Sequence, residues 1–433
     1  MPPYHIAHEI DLRCYPNYSF EVGDVDGDGR MELVYLTQNG NRLRVIGLDG
    51  KVRLDRHIAN FGNWGTVVPC VLDVNGDGRA EVIVPHVDVS RGQMARIVAM
   101  DAEGAIVAEH CFGTYERDAF GVTVPLLAPL RLGSRLGGQV GVIAAVAGGR
   151  IVALDTRLQE MWRVDGLRHD FAHEFCVADI DQDGLDEVAF CTVDHIDGRG
   201  PANAGDLVVL DHDGRMLLRE NVGRYYPDTH FDCIAMADFR GAGEVEILLE
   251  KGILINLNGD VVWDVSKQLD HGQWIAHTED PQRGGQLILM SELWAAESKG
   301  CLLTGAGELV ATTAGLPRSR LDQASFPGWK VLATRGHAVQ WTPEAAPEFF
   351  LAEQACAPTS HDCFATRSFQ LRAFFLDAQG ELLAALPFED AQIESYWYNG
   401  EVRSRVADVD GDGRPEIIFP RQNGRVMVIK KEG

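Results

Sequence analysis

The chain has 433 residues, of which 45% are hydrophobic and 24% charged, and its formal net charge is −25. That length supports a large core in an ordinary globular protein. The acidic balance, with no basic run to release counterions from phosphates, argues against a nucleic-acid or membrane-surface partner, and no apolar stretch reaches the ~18 residues of a spanning helix.

The N-terminus, Met1-Pro-Pro-Tyr-His-Ile, lacks the basic start, apolar stretch and cleavage site of a secretory signal. This predicts a cytoplasmic protein, or a secreted or periplasmic one if a leader has been removed. Nine cysteines, several inside apolar runs (Cys70, Cys176, Cys191, Cys233), fit reduced core thiols better than a disulfide framework.

In chain order, short alternating runs bounded by Gly, Asp and Asn predict an all-β protein. The first unit reads as strands at Tyr18–Gly23, Glu32–Leu36, Leu43–Leu48 and Lys51–Arg56, a four-stranded meander of the kind that forms one propeller blade. The plan repeats from Thr66 to His110, again through Gly138 to Thr156, from about Phe171 to Asn221, and from Asp238 to Asp260. Beyond that the signal decays, although Thr278 to Gln286 and Asp322 to Lys330 keep an eight-residue offset before an apolar run. The segment 342–368, with Pro343, Pro347 and Pro358, reads as an insertion or a poorly regular blade. After the final acidic loop only Glu416–Phe419 and Arg425–Ile429 remain, so the N-terminal run Tyr4–Leu12 is expected to close the ring. One β-propeller domain over residues 1–433 follows, with eight blades, or seven if two worn units share one.

Four loops share one pattern. Asp24, Asp26, Asp28 and Glu32 recur as Asp73, Asn75, Asp77 and Glu81, as Asp179, Asp181, Asp183 and Glu187, and as Asp408, Asp410, Asp412 and Glu416. Oxygen ligands at alternate positions, a glycine at the turn and a closing Glu suit a hard cation, and with no His or Cys in the set Ca²⁺ fits better than Zn²⁺. The alternative is a plain Asp-Gly turn held by side-chain to backbone hydrogen bonds. At Asp238, where Arg240 and Ala242 replace ligands, the plain turn is the better reading. In either case these loops are structural.

At these residues the chain resembles the FG-GAP, or VCBS-like, propeller repeats found in integrin heads and in several polysaccharide lyases. The repeat is specific for fold and weak for function.

If the acidic loops lie at one face, innermost-strand starts and second- and fourth-strand ends lie at the other. His86, His110, His195, His173, His230, His271 and Gln273 fall there, with Arg224, Tyr225 and Tyr226 in a connection between blades and Trp64, Tyr396, Trp397 and Tyr398 adding aromatic surface. A lone strand-end His is more often a hydrogen-bonded edge residue, and Arg224 alone would be a solvated loop charge. It is the gathering that marks a site. Such residues suit β-elimination from a uronate sugar: Arg or a cation stabilises the carboxylate, one His or Tyr takes the C5 proton, and another protonates the leaving oxygen. Hydrolysis would instead want two carboxylates, for which Glu174 and Asp232 are available.

The resemblance extends to propeller lyases acting on ulvan, rhamnogalacturonan-type pectin and rhamnosyl-glucuronate linkages. His86 and His110 look like the histidine pair that the ulvan and rhamnosyl-glucuronate groups carry in an early blade, and Arg224 with Tyr226 are the nearest match to the Arg and Tyr of the ulvan enzymes, though later in the chain and more tightly spaced. The resemblance implies a lyase with His86 and His110 at its centre, Tyr226 as acid or base, Arg224 neutralising a carboxylate, His173 and His230 lining the pocket or holding a further axial metal, and Ca²⁺ in the acidic loops. Its partner would be a uronate-containing polysaccharide or oligosaccharide. The rival readings are a non-catalytic binding propeller and a glycoside hydrolase.

Overall fold

A computed structural model describes residues 3–12, 16–37, 42–58, 68–88, 94–113, 116–117, 123–132, 140–193, 205–226, 231, 233–269, 272–280, 282–292, 300–313, 330–333, 336–356, 368–387, 404–421 and 424–432. The strands form eight antiparallel sheets, each a blade, so the seven-blade alternative falls away. In blade 1 the four strands are Pro16–Gly23, Glu32–Thr37, Arg42–Ile46 and Val52–His57. Second strands are apolar on both faces, as in Glu32–Thr37, which is buried throughout. Their side chains pack into the blades on either side and make up the inter-blade clusters.

The motif glutamate has a fixed place: it is the first residue of the second strand, paired with the last residue of the innermost one. The pairs are Gly23 with Glu32, Leu72 with Glu81, Ala178 with Glu187, Ala237 with Glu246 and Ala407 with Glu416. Blade 7 obeys the same rule through Val339 and Glu348. The segment 342–368 therefore contains the second strand of that blade, Glu348–Cys356, and Gln340 stands where the other loops begin with Asp. Lys330, by contrast, begins the first part of a split innermost strand, Lys330–Ala333, so the offset from Asp322 does not mark the loop.

The ring closes as expected. Tyr4–Asp11 pairs antiparallel with Arg425–Lys431 and supplies the fourth strand of blade 8. Tyr4 Oη donates to Glu348 Oε2 at 2.7 Å, Trp341 Nε1 donates to the same oxygen at 2.6 Å, and Lys431 Nζ donates to Oε1 at 2.6 Å. The Tyr4 ring stacks on Phe375 with centroids 3.7 Å apart. One carboxylate thus ties the closing strand to blade 7.

Other seams share a second device. A fourth-strand side chain reaches a backbone carbonyl in the hairpin between the third and fourth strands of the next blade: Arg56 to Gly104, Trp162 to His212 and Trp263 to Gly305, at 2.8–3.0 Å. Each bond satisfies a turn carbonyl that the sheet leaves over.

Candidate functional site

The acidic loops join the innermost strand of a blade to its second strand and so mark one face of the propeller. In each full motif the closing Glu accepts the backbone N–H of the second loop residue, Val25, Val74, Ile180 or Val409, at 2.9–3.0 Å. Asp28, Asp77, Asp183 and Asp412 accept the N–H two residues on, so they brace the turn. Gly27 sits at φ 77, and in the third full motif Gln182 adopts φ 60 at the equivalent place, a conformation that costs a side-chain-bearing residue about 1 kcal/mol.

Three loops gather carboxylates that can hold a metal ion, with ligand atoms within 4.8 Å of one another: Asp24, Asp26 and Glu32; Asp179, Asp181 and Glu187; and Asp408, Asp410, Asp412 and Glu416. In the same three loops Asp26 Oδ1, Asp179 Oδ1 and Asp410 Oδ1 are buried and accept no hydrogen bond. Burial raises the Glu32 carboxyl to about 7, with Asp26 and Asp28 adding to the rise. Glu81, Glu187 and Glu416 are raised for the same first reason. An oxygen-only set of this kind fits a hard cation. The Asp73 loop is held differently, because Asn75 Nδ2 donates to Glu81 Oε1 at 2.8 Å. At Asp238 the Arg240 guanidinium bonds Glu246, which accords with a plain turn.

The structure does not bring His86 and His110 together. His86 stands opposite Arg96, and Ile97 opposite His110, on neighbouring rows of one sheet. Opposed residues share a face and successive residues alternate. His86 therefore faces blade 1 with Val84 and Val98, and His110 faces blade 3 with Ile97. Arg96 donates to His86 Nδ1 at 3.3 Å and pairs with Glu109. The fourth strand continues from His110 to Gly113, and His110 Nδ1 lies 3.1 Å from Leu158 O, a hairpin carbonyl of blade 3. His110 thus occupies the place that Arg56 holds at the preceding seam, two residues along the fourth strand from the places of Trp162 and Trp263.

Arg224 is exposed and pairs with Glu220 at 3.0 Å, with its guanidinium 5.8 Å over the Tyr225 ring. Tyr226 packs half-buried on the core between blades 4 and 5. His230, His195, His271, Asp232, Trp64, Tyr396, Trp397 and Tyr398 lie outside the described residues, as does the side chain of Gln273. His173 lines the axial cavity.

That cavity, of about 520 Å³, is walled by innermost strands around the propeller axis. The residues that pair two positions beyond the motif glutamates form a ring: Glu21 opposite Val34, Cys70 opposite Ile83, Cys176 opposite Ala189, Ala235 opposite Leu248, His337 opposite Phe350 and Arg405 opposite Ile418. Ala128 and Ala276 hold the places in blades 3 and 6. Five ring positions are thus Cys or Ala, and the three long polar ones sit on consecutive blades 7, 8 and 1. Arg405 Nε lies 3.0 Å from Glu21 Oε1, Arg405 Nη1 donates to Ser404 O at 3.2 Å, and His337 Nε2 lies 2.7 Å from Ser404 Oγ. From the ring the cavity extends toward the starts of the innermost strands, away from the acidic loops, and takes in His173 and Glu174 of blade 4. His277 also lines it, with Nδ1 3.0 Å from Gln286 Oε1, and burial lowers its pKa below the ordinary imidazole value. The set offers a guanidinium for a carboxylate and imidazoles for proton transfer. Among the described residues no axial group gathers ligands for a further metal.

Glu21, His337 and Arg405 escaped the sequence reading, although a signal was present. Each stands eleven residues before a glutamate that opens a second strand, Glu32, Glu348 and Glu416.

An FG-GAP-like repeat model matches residues 24–84. Rhamnogalacturonan endolyase YesW of Bacillus subtilis (strain 168) is 23% identical, the match covering 69% of this chain and 54% of that protein, so the chain spans about half the length of this curated relative. The crystal structure of the exotype rhamnogalacturonan lyase YesX superposes with a TM-score of 0.64 at 18% identity, over 99% of this chain and 76% of that one. BBS1N, crystallised in complex with ARL6DN, gives 0.53 at 7% identity over 99% and 97% of the two chains. The chain is an eight-bladed β-propeller that carries an FG-GAP-like repeat and resembles rhamnogalacturonan lyases in fold.

Proposed function

We propose that this propeller is a polysaccharide lyase that cleaves a uronate-containing glycan by β-elimination in the axial cavity, with Ca²⁺ in its Asp24 and Asp179 loops. The observation that carries the reading is the polar arc of Glu21, Arg405 and His337, facing His173 across a cavity otherwise lined at ring level by Cys and Ala. Arg405 would exchange its pairing with Glu21 for the uronate carboxylate, which lowers the barrier to removing the C5 proton. His173 and His337 are the imidazoles suited to take that proton and to protonate the leaving oxygen. In this reading the catalytic groups move from the rim of blade 2 to the axis, and of the sequence candidates His173 keeps its part. The sequence similarity to a rhamnogalacturonan endolyase supports a pectic substrate.

The second reading is a non-catalytic binding propeller, favoured by the internal pairing of Arg405 with Glu21. Incubation with rhamnogalacturonan, ulvan and other uronate glycans separates the readings. A lyase gives the ultraviolet absorbance of an unsaturated uronate, a hydrolase gives new reducing ends without it, and a binding module gives neither.

A further inference from the structure

The acidic loop of the closing blade contains a cation of its own. Lys430 Nζ lies 2.6 Å from Asp410 Oδ2, 2.7 Å from Asp412 Oδ2 and 3.1 Å from Glu416 Oε1. In the other gathered loops no ammonium or guanidinium touches the closing glutamate among the described residues: Arg53 Nε lies 3.3 Å from Asp26 Oδ2 at the edge of its loop, and the group beside Glu187 is the His212 imidazole, at 3.5 Å. The reason is topological. The residue after the motif glutamate pairs with the third-strand residue one place before the hairpin's first turn position: Leu33 with Ile46, Val82 with Met100, Val188 with Leu210 and Ile247 with Ile255. The next residues are Gly47, Asp101, Asp211 and Asn256, and the last three cap their hairpins by accepting backbone N–H groups. In blade 8 the pair is Ile417 with Ile429, and the next residue is Lys430. No hairpin follows, because the fourth strand comes from the N-terminus, where His5 pairs with Lys430. A position that elsewhere must shape a turn is released here to carry a long basic side chain.

We propose that the Lys430 ammonium is the resident counterion of the Asp408 loop and keeps divalent cations out of it, so the blade that closes the ring holds its loop without metal. A calcium ion about 2.4 Å from the same carboxylates would stand against the ammonium, and the two cannot share the loop. Asp410 Oδ1 accepts no hydrogen bond even so, which leaves the loop ready for an ion once the lysine is gone. This inference is independent of the lyase reading.

The test counts calcium bound per chain, by dialysis and elemental analysis, in the wild type, Lys430→Met, Asp408→Asn and the double variant. Lys430→Met should bind one ion more than the wild type, the double variant should lose that ion, and Asp408→Asn alone should match the wild type. Equal counts for Lys430→Met and the wild type overturn the proposal. So does a wild type that loses an ion on Asp408→Asn, a comparison that decides the matter even if Lys430→Met fails to fold.

Discussion

The His110 imidazole is held against the carbonyl oxygen of Leu158, 3.1 Å from Nδ1, across the seam between blades 2 and 3, with its ring edge-on to Phe112 at 4.8 Å. This is the strand position from which Arg56 fastens the preceding seam, to Gly104 O. His110→Ala should therefore lower stability by about 2 kcal/mol, through a lost hydrogen bond and lost packing, and leave turnover per folded molecule unchanged. Denaturant melts together with specific activity check this. An unchanged melt with abolished turnover would return His110 to the chemistry.

Glu348 accepts from Tyr4, Trp341 and Lys431 at once. Glu348→Ala leaves three donors without their acceptor and should cost about 3 kcal/mol, whereas Glu348→Gln should cost less because an acceptor oxygen remains. Thermal melts of the two variants measure the difference. Equal melting temperatures would mean that the closing strand is held by its backbone pairing alone.

His277 is a pH-sensitive element of stability. Burial lowers its folded-state pKa below the ordinary 6.5, so in the window beneath 6.5 the unfolded chain binds the proton and the folded chain does not. Stability contributed by the neutral ring is therefore lost as pH falls through that window. His277→Gln should flatten the acid limb of the stability profile relative to the wild type, as read from melts between about pH 7 and pH 5. Parallel profiles would show that the acid limb belongs to other groups.

The Asp24 and Asp179 loops should make the protein calcium-dependent in stability. Calcium at a hundredfold over its dissociation constant adds about 2.7 kcal/mol per site bound only by the folded state. Chelation should lower the melting temperature, and Asp24→Asn should remove part of the response to added calcium. A melt indifferent to both chelator and calcium would mean that these loops are held by their hydrogen bonds alone.

The blades and the closing strand were legible in the sequence because Asp, Gly and the eighth-position Glu recur with fixed spacing, and Tyr4–Asp11 completes a sheet that otherwise lacks a strand. Blade 7 was not, because Gln340 stands in place of the first Asp and Pro343 and Pro347 interrupt the loop, although Glu348 keeps its position. The axial arc was harder still. His337, Arg405 and Glu21 differ in type and are far apart in sequence, and only strand register places them on adjacent blades. His86 and His110 lie close in sequence, but side-chain alternation sends them to opposite faces of their blade.

The most direct test of the axial site is the rate of unsaturated-product formation from rhamnogalacturonan by the wild type and by Arg405→Ala, each corrected for folded protein. Removal of the carboxylate partner should lower the rate at least a hundredfold. An Arg405→Ala protein that turns over at the wild-type rate would contradict the account.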